Sequence, residues 1–194
     1  MKRLPRLLLL PILVMLMAGC ASAPVAPGCT RIGHDGQFCL LPPSSLPSVS
    51  AMHLVTVQHD GRTDSFMGQL QVDSHALRLA GLSLFGTSLF ALDYDGHAIH
   101  KQPEQINLHG ELLISMLELA LADPAALQPR LHNLTLTLAQ NGTTQTRQLF
   151  EHGHLIARIE KTGDTLSEAR INIAIPLAKL VVSMTPLGAA GGSP

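Results

Sequence analysis

Leu134-Thr135-Leu136-Thr137-Leu138 alternates apolar and polar side chains without a break, and the same two-residue period recurs through most of the chain. Such alternation puts every apolar group on one side of an extended strand, so each segment has to bury one face. His53-Leu54-Val55-Thr56-Val57-Gln58-His59 runs into Asp60-Gly61, a hairpin signal. The next strand, 65–72, sets Phe66, Gly68, Leu70 and Val72 against mostly polar neighbours. Ala76-Leu77-Arg78-Leu79-Ala80 leads into Leu82-Ser83-Leu84-Phe85-Gly86, and Leu89-Phe90-Ala91-Leu92-Asp93-Tyr94 ends at Asp95-Gly96 before a short return at Ala98-Ile99. After Leu138 the chain turns at Asn141-Gly142 into 143–150, followed by Leu155-Ile156-Ala157-Arg158-Ile159, Ile171-Asn172-Ile173-Ala174-Ile175 and Leu180-Val181-Val182. Short strands joined by tight turns read as one antiparallel meander.

The period changes once. Residues 111–122 read Glu-Leu-Leu-Ile-Ser-Met-Leu-Glu-Leu-Ala-Leu-Ala, with Glu111, Ser115 and Glu118 at i, i+4 and i+7 forming one narrow polar stripe. A helix apolar over most of its circumference is buried on several sides or covers an apolar cavity. Asp123-Pro124 then reads as an N-cap with proline at N1 of a second short helix, which Pro129 closes. The predicted fold is mainly β: a strongly curved sheet of about ten strands, an unclosed antiparallel β-barrel, with a central apolar helix as its lid.

The N-terminus has a different character. Met1-Lys2-Arg3-Leu4-Pro5-Arg6 is basic, residues 7–17 are uncharged and apolar, and Ala18-Gly19-Cys20 follows. That order is the layout of an export signal, and the apolar run is shorter than the ~20 residues of a membrane-spanning helix. Met17-Ala18-Gly19-Cys20 resembles the bacterial lipobox, which implies cleavage before Cys20 and a diacylglyceryl group plus an amide-linked acyl chain on that cysteine. Ala21, rather than Asp, after the cysteine implies sorting to the periplasmic face of the outer membrane. Residues 1–19 are thus expected to be signal. Residues 20–50, rich in Pro, Ser, Ala and Gly, are expected to be a tether, 51–187 the domain, and 188–194 a disordered tail.

Cys29 and Cys39 lie close together in an exported chain. A disulfide between them is the favoured reading, with two free thiols or half of a metal site as the alternatives. The net charge of −1 comes from intermixed acids and bases, so there is no basic stripe to neutralise phosphates and no nucleic-acid partner is expected. Tryptophan is absent and aromatics are 3% of the chain, which disfavours a stacking platform for sugars or bases.

Signal, lipidated cysteine, strand meander, apolar helix and second meander resemble LolB, the outer-membrane lipoprotein acceptor. More closely, residues 65–187 look like an uncharacterised family of LolB-like bacterial lipoproteins. The residues that carry this are Gly81-Leu82-Ser83-Leu84-Phe85-Gly86-Thr87-Ser88-Leu89-Phe90, Leu92-Asp93-Tyr94-Asp95-Gly96 and the helix followed by Asp123-Pro124. The resemblance implies an unclosed barrel with a helical lid and an apolar cavity for acyl chains, and in some members a lipid related to aryl polyenes. It departs from LolB in having no tryptophan.

Two site expectations follow. Leu84 and Phe85 join two strands and, by resemblance, form an apolar membrane or cargo-transfer loop; the alternative is burial in the core. Phe66, Leu70, Leu82, Phe90, Leu113, Met116, Leu117 and Leu121 are expected to line a lipid-binding cavity, against the alternative of a filled core. Ten histidines, including His97 with His100 and His152 with His154, show no ligand spacing, so no metal is expected. Gly81-Leu82-Ser83-Leu84-Phe85-Gly86 is one residue too long for a nucleophile elbow, and no phosphate-cradling glycine loop precedes a helix, so no catalysis and no cofactor are expected. The functional expectation is a lipid-anchored outer-membrane protein that binds and passes on an acyl or polyene-like lipid, or a lipoprotein, received from a periplasmic carrier. A non-catalytic assembly lipoprotein docking on a protein partner is the alternative.

Overall fold

A computed structural model describes residues 28–103 and 109–188. The expected signal, Cys20 and the tail from residue 189 lie outside the described residues. Strands β1 (Cys29–Arg31) and β2 (Gln37–Cys39) form a small hairpin. Then come β3 (Val49–His59), β4 (Arg62–Val72), β5 (Leu77–Leu82), β6 (Ser88–Tyr94) and β7 (Ile99–Gln102). Helix α1 (Gly110–Leu121) and the one-turn α2 (Pro124–Leu127) separate these from β8 (Leu131–His132), β9 (Thr135–Asn141), β10 (Thr144–Glu151), β11 (His154–Thr162), β12 (Arg170–Ile175) and β13 (Leu180–Pro186).

Ten of these strands make one antiparallel sheet in the order β7-β6-β5-β4-β3-β13-β12-β11-β10-β9, unclosed between β7 and β9, and β1-β2-β8 make a second, three-stranded sheet. The sheet is mainly built from consecutive hairpins; the one long-range closure pairs β3 with β13, Val57 opposite Val182 and Val55 opposite Met184. Register carries the alternation across strands as apolar rows. Val57, Val182, Ile173 and Ile159 form one, and Phe66, Val55, Met184 and Ile171 the next. Rows of β-branched and long aliphatic side chains on one face hold a sheet together through cross-strand contact and burial.

Helix α1 crosses the inner face of this sheet. At its start Gly110 lies against Leu92, Ile99 and Lys101 of β6 and β7, near enough that a Cβ would touch Leu92 Cδ2 at 3.3 Å. At its end the buried Arg147 of β10 donates to the carbonyls of Leu119 (2.8 Å) and Ala122 (2.7 Å). These are among the carbonyls that a helix terminus leaves unpaired, so the guanidinium both caps α1 and ties it to the sheet. Asp123 caps α2 as expected, accepting from the Ala125 amide at 2.8 Å with Pro124 at the first helical position.

The two ends of the sheet differ. One, called here the upper end, carries the turns around Asp60-Gly61, Ser83 to Thr87, His152-Gly153 and Pro176–Ala178. The lower end is filled by the segment between β2 and β3. Leu40, Leu41 and Leu46 are buried there, and Pro43 packs at the Asp95-Gly96 turn. Of the tether expected over 20–50, the described part from Cys29 onward is therefore not a spacer: it packs on the domain through buried apolar side chains, Ile32 and Phe38 among them. The prolines suggest a tether, but the apolar residues between them decide where the segment goes.

Candidate functional site: an apolar cleft under the helix

Where the segment 40–48 fills the lower half of the sheet's inner face, the upper half is left open. A cleft of about 240 Å3 lies between α1 and the sheet. Its floor is the inward residues of the central strands, among them Val55, Val57, Leu79, Ile173, Val182 and Met184, and its roof is Leu112, Leu113, Met116 and Leu117 of α1. Every lining side chain is Val, Leu, Ile, Phe or Met. Phe66, Leu112, Leu113, Ile175, Leu180 and Val182 are only half-buried, so the cleft opens to solvent at the upper end.

Phe66 and Phe90 make one wall, edge to face with ring centroids 5.7 Å apart. Gly81 is the reason Phe90 fits: it pairs with Phe90 across β5 and β6, and a Cβ there would run into the ring. Five of the eight expected lining residues therefore meet in one place: Phe66, Phe90, Leu113, Met116 and Leu117. Three do not. Leu82 pairs with Met67 on the outer face, because Leu77, Leu79 and Gly81 point inward and the next residue must point out. Leu70 faces inward but is buried in the filled lower half, and Leu121, at the last turn of α1, is buried on that same side beside the segment 47–50.

The β5–β6 connection stands clear of the sheet. Phe85 is 98% exposed and Leu84 59%, so neither packs into the core. The turn beneath them is well made. Gly86, at φ +84°, donates to Ser83 O at 2.9 Å, and Ser83 Oγ accepts from the amides of Phe85 (3.3 Å) and Thr87 (3.0 Å). Only glycine takes that conformation without strain, and with the backbone groups satisfied the two apolar side chains are held out on a defined tip.

Sequence reasoning missed Glu118. Its place in the polar stripe Glu111, Ser115, Glu118 gives it no role from sequence, yet Ser115 and Glu118 are fully buried. Ser115 Oγ is satisfied by Glu111 O at 2.6 Å. Glu118 Oε2 accepts from the Leu41 amide at 2.8 Å, while Oε1 has no partner. Burial pushes this carboxyl up to about 8, only partly offset by the Leu41 hydrogen bond and by Arg130. A neutral acid at position 118 ties the lid helix to the segment that plugs the lower end. Burial likewise raises Tyr94 to about 12, with Glu118 adding to the shift, and lowers His53, whose Nε2 lies 3.2 Å from Ala169 O.

Cys29 and Cys39 are disulfide-bonded, at paired positions of β1 and β2. The hairpin they close is anchored at its other end by Glu151, which accepts from the amides of His34, Asp35 and Gly36. Those amides, His34 first, hold the Glu151 carboxyl below its ordinary range. Among the described residues no three His, Cys, Asp or Glu gather as metal ligands, and no helix is long and apolar enough to cross a membrane. His152 and His154 flank the β10–β11 turn, with His152 at φ +48°.

Residues 50–185 match the model of a family described as "Protein of unknown function (DUF3261)". That is more than half of the 194 residues. The chain belongs to this family. The matched stretch begins one residue into β3 and ends one residue short of the end of β13, so the family unit is the ten-stranded sheet with its lid helix. The disulfide hairpin and the plugging segment precede the match. No curated protein matches the chain.

Proposed function

We propose that this protein is a non-enzymatic lipoprotein, held at the periplasmic face of the outer membrane through lipid on Cys20, that takes an acyl or polyene-like chain into the cleft under α1 and passes it on. The observation that carries the reading is the cleft itself: wholly apolar, open at one end, and roofed by a helix whose second half Glu118 and Arg147 fasten. An unfilled apolar space of this size forfeits packing energy in a protein with no use for it. The export signal, the lipobox and the LolB resemblance point the same way, and the exposed Leu84-Phe85 tip supports a transfer role beside the mouth.

Size narrows the cargo. At about 240 Å3 the cleft holds roughly eight water-sized volumes, close to as many methylenes. At ~0.8 kcal/mol each, these contribute at most ~6 kcal/mol, a Kd no tighter than roughly 40 µM. That is one chain, weakly held and readily released, which suits a carrier. The several chains of a lipoprotein would require α1 to lift. The second reading, docking on an envelope protein, is favoured only by the same exposed tip, and predicts one stoichiometric partner with no extractable lipid.

Titration of the protein with a fluorescent fatty-acid probe tests the reading. Saturable binding is expected at tens to hundreds of micromolar probe, on the order set by that ~6 kcal/mol, reduced at least tenfold by Met116→Lys and by Leu113→Trp, which fills the space without charge. A wild-type protein that folds normally and shows no saturable binding contradicts it.

A further inference from the structure

A second apolar point stands at the upper end, on a different hairpin. Leu177, in the single turn Pro176–Ala178 between β12 and β13, is 76% exposed. Its turn is closed by the Lys179 amide donating to Pro176 O at 3.0 Å, with Lys179 itself at φ +48°. The flanking pair Ile175 and Leu180 lines the cleft, so Leu177 rises from one wall of the mouth. The Leu84-Phe85 tip joins β5 to β6, the strand that carries Phe90 of the opposite wall, with Phe66 on the neighbouring β4. In the sheet order the polar Asp60-Gly61 turn lies between the two tips.

We propose that Leu177 and the Leu84-Phe85 tip form a two-point contact with a lipid surface, setting the mouth of the cleft against the bilayer so that a chain moves between them without crossing water. This rests on the cleft reading and adds the orientation. A lipid surface fits better than a protein because the points are two small, separate apolar tips divided by a polar turn, not the continuous patch of a protein interface. Lys179 beside Leu177 also suits a membrane boundary: its side chain is 79% exposed, with Nζ 4.0 Å from Asp60 Oδ1, and a long basic stem keeps its charge at the headgroups while the neighbouring leucine enters.

The absence of tryptophan makes the test clean. Phe85→Trp, Leu177→Trp and, at a lower-end turn, His75→Trp each give a single reporter at an exposed position. The full chain is mixed with vesicles of phosphatidylethanolamine and phosphatidylglycerol, with and without bromine on the acyl chains. Blue-shifted emission, and its loss to brominated lipid, is expected for both the Phe85→Trp and the Leu177→Trp variants and not for His75→Trp. Quenching of the Phe85→Trp variant alone overturns the two-point contact while leaving the carrier reading intact. So does quenching of the Leu177→Trp variant alone, quenching at all three sites, or quenching at neither tip. Failure of fatty-acid binding instead removes the cleft reading beneath it.

Discussion

Glu118 concentrates the cost of fastening a lid to a greasy interior. Its carboxyl sits at about 8 rather than 4.5 because burial disfavours the charged form. Between those values the folded protein keeps a proton that the unfolded chain has lost. Stability should therefore fall as pH rises from about 4.5 to about 8 and level off above, by on the order of 5 kcal/mol in all. Glu118→Gln keeps an acceptor for the Leu41 amide and cannot ionise, so its urea midpoint should lose the decline that the parent shows, leaving only the rise through the histidine range that the buried His53, with its lowered pKa, contributes. Parallel curves for the two proteins would show that Glu118 is not the group responsible. Glu151 is the opposite case: three amides favour its charged form, so its contribution is present above the ordinary carboxylate range and is lost as pH falls through its lowered value.

At the scale of elements, the disulfide hairpin does more than decorate a tether. β2 pairs with β8 through Gln37–His132 and Phe38–Leu131, and the Leu41 amide just beyond it binds Glu118. Replacing both cysteines by serine should cost ~2–3 kcal/mol, read from the urea midpoint of the double variant against the parent. Hydrogen exchange should also speed up first in the second half of α1, which the hairpin helps to hold; uniform acceleration across the sheet would contradict that coupling. The elements themselves were legible because alternation marks strands and its breakdown marks α1. Phe66, Phe90, Leu113, Met116 and Leu117 follow from period and helix face alone. Leu82 could have been placed by parity with Leu79, whereas Leu70 and Leu121 could not, since what fills the lower half comes from 40–48, a stretch whose prolines mask its buried leucines. Glu118 was hidden for a related reason: a polar stripe looks solvent-facing until something unexpected packs over it.

The whole molecule is asymmetric end to end. One end of a curved sheet is plugged by the chain's own N-terminal segment, and the other is left open under half of a helix, with apolar points on two hairpins around the opening. The methionines report on the two faces separately. Met116 and Met184 line the cleft, while Met52 is exposed on the outer face and Met67 pairs there with Leu82. Methyl-labelled methionine NMR during addition of palmitate is therefore the most direct measurement. Saturable shifts of the Met116 and Met184 methyls, with Met52 and Met67 unmoved, are what the cleft predicts. Shifts confined to Met52 and Met67, or none at Met116 and Met184 up to the solubility of the fatty acid, would contradict it.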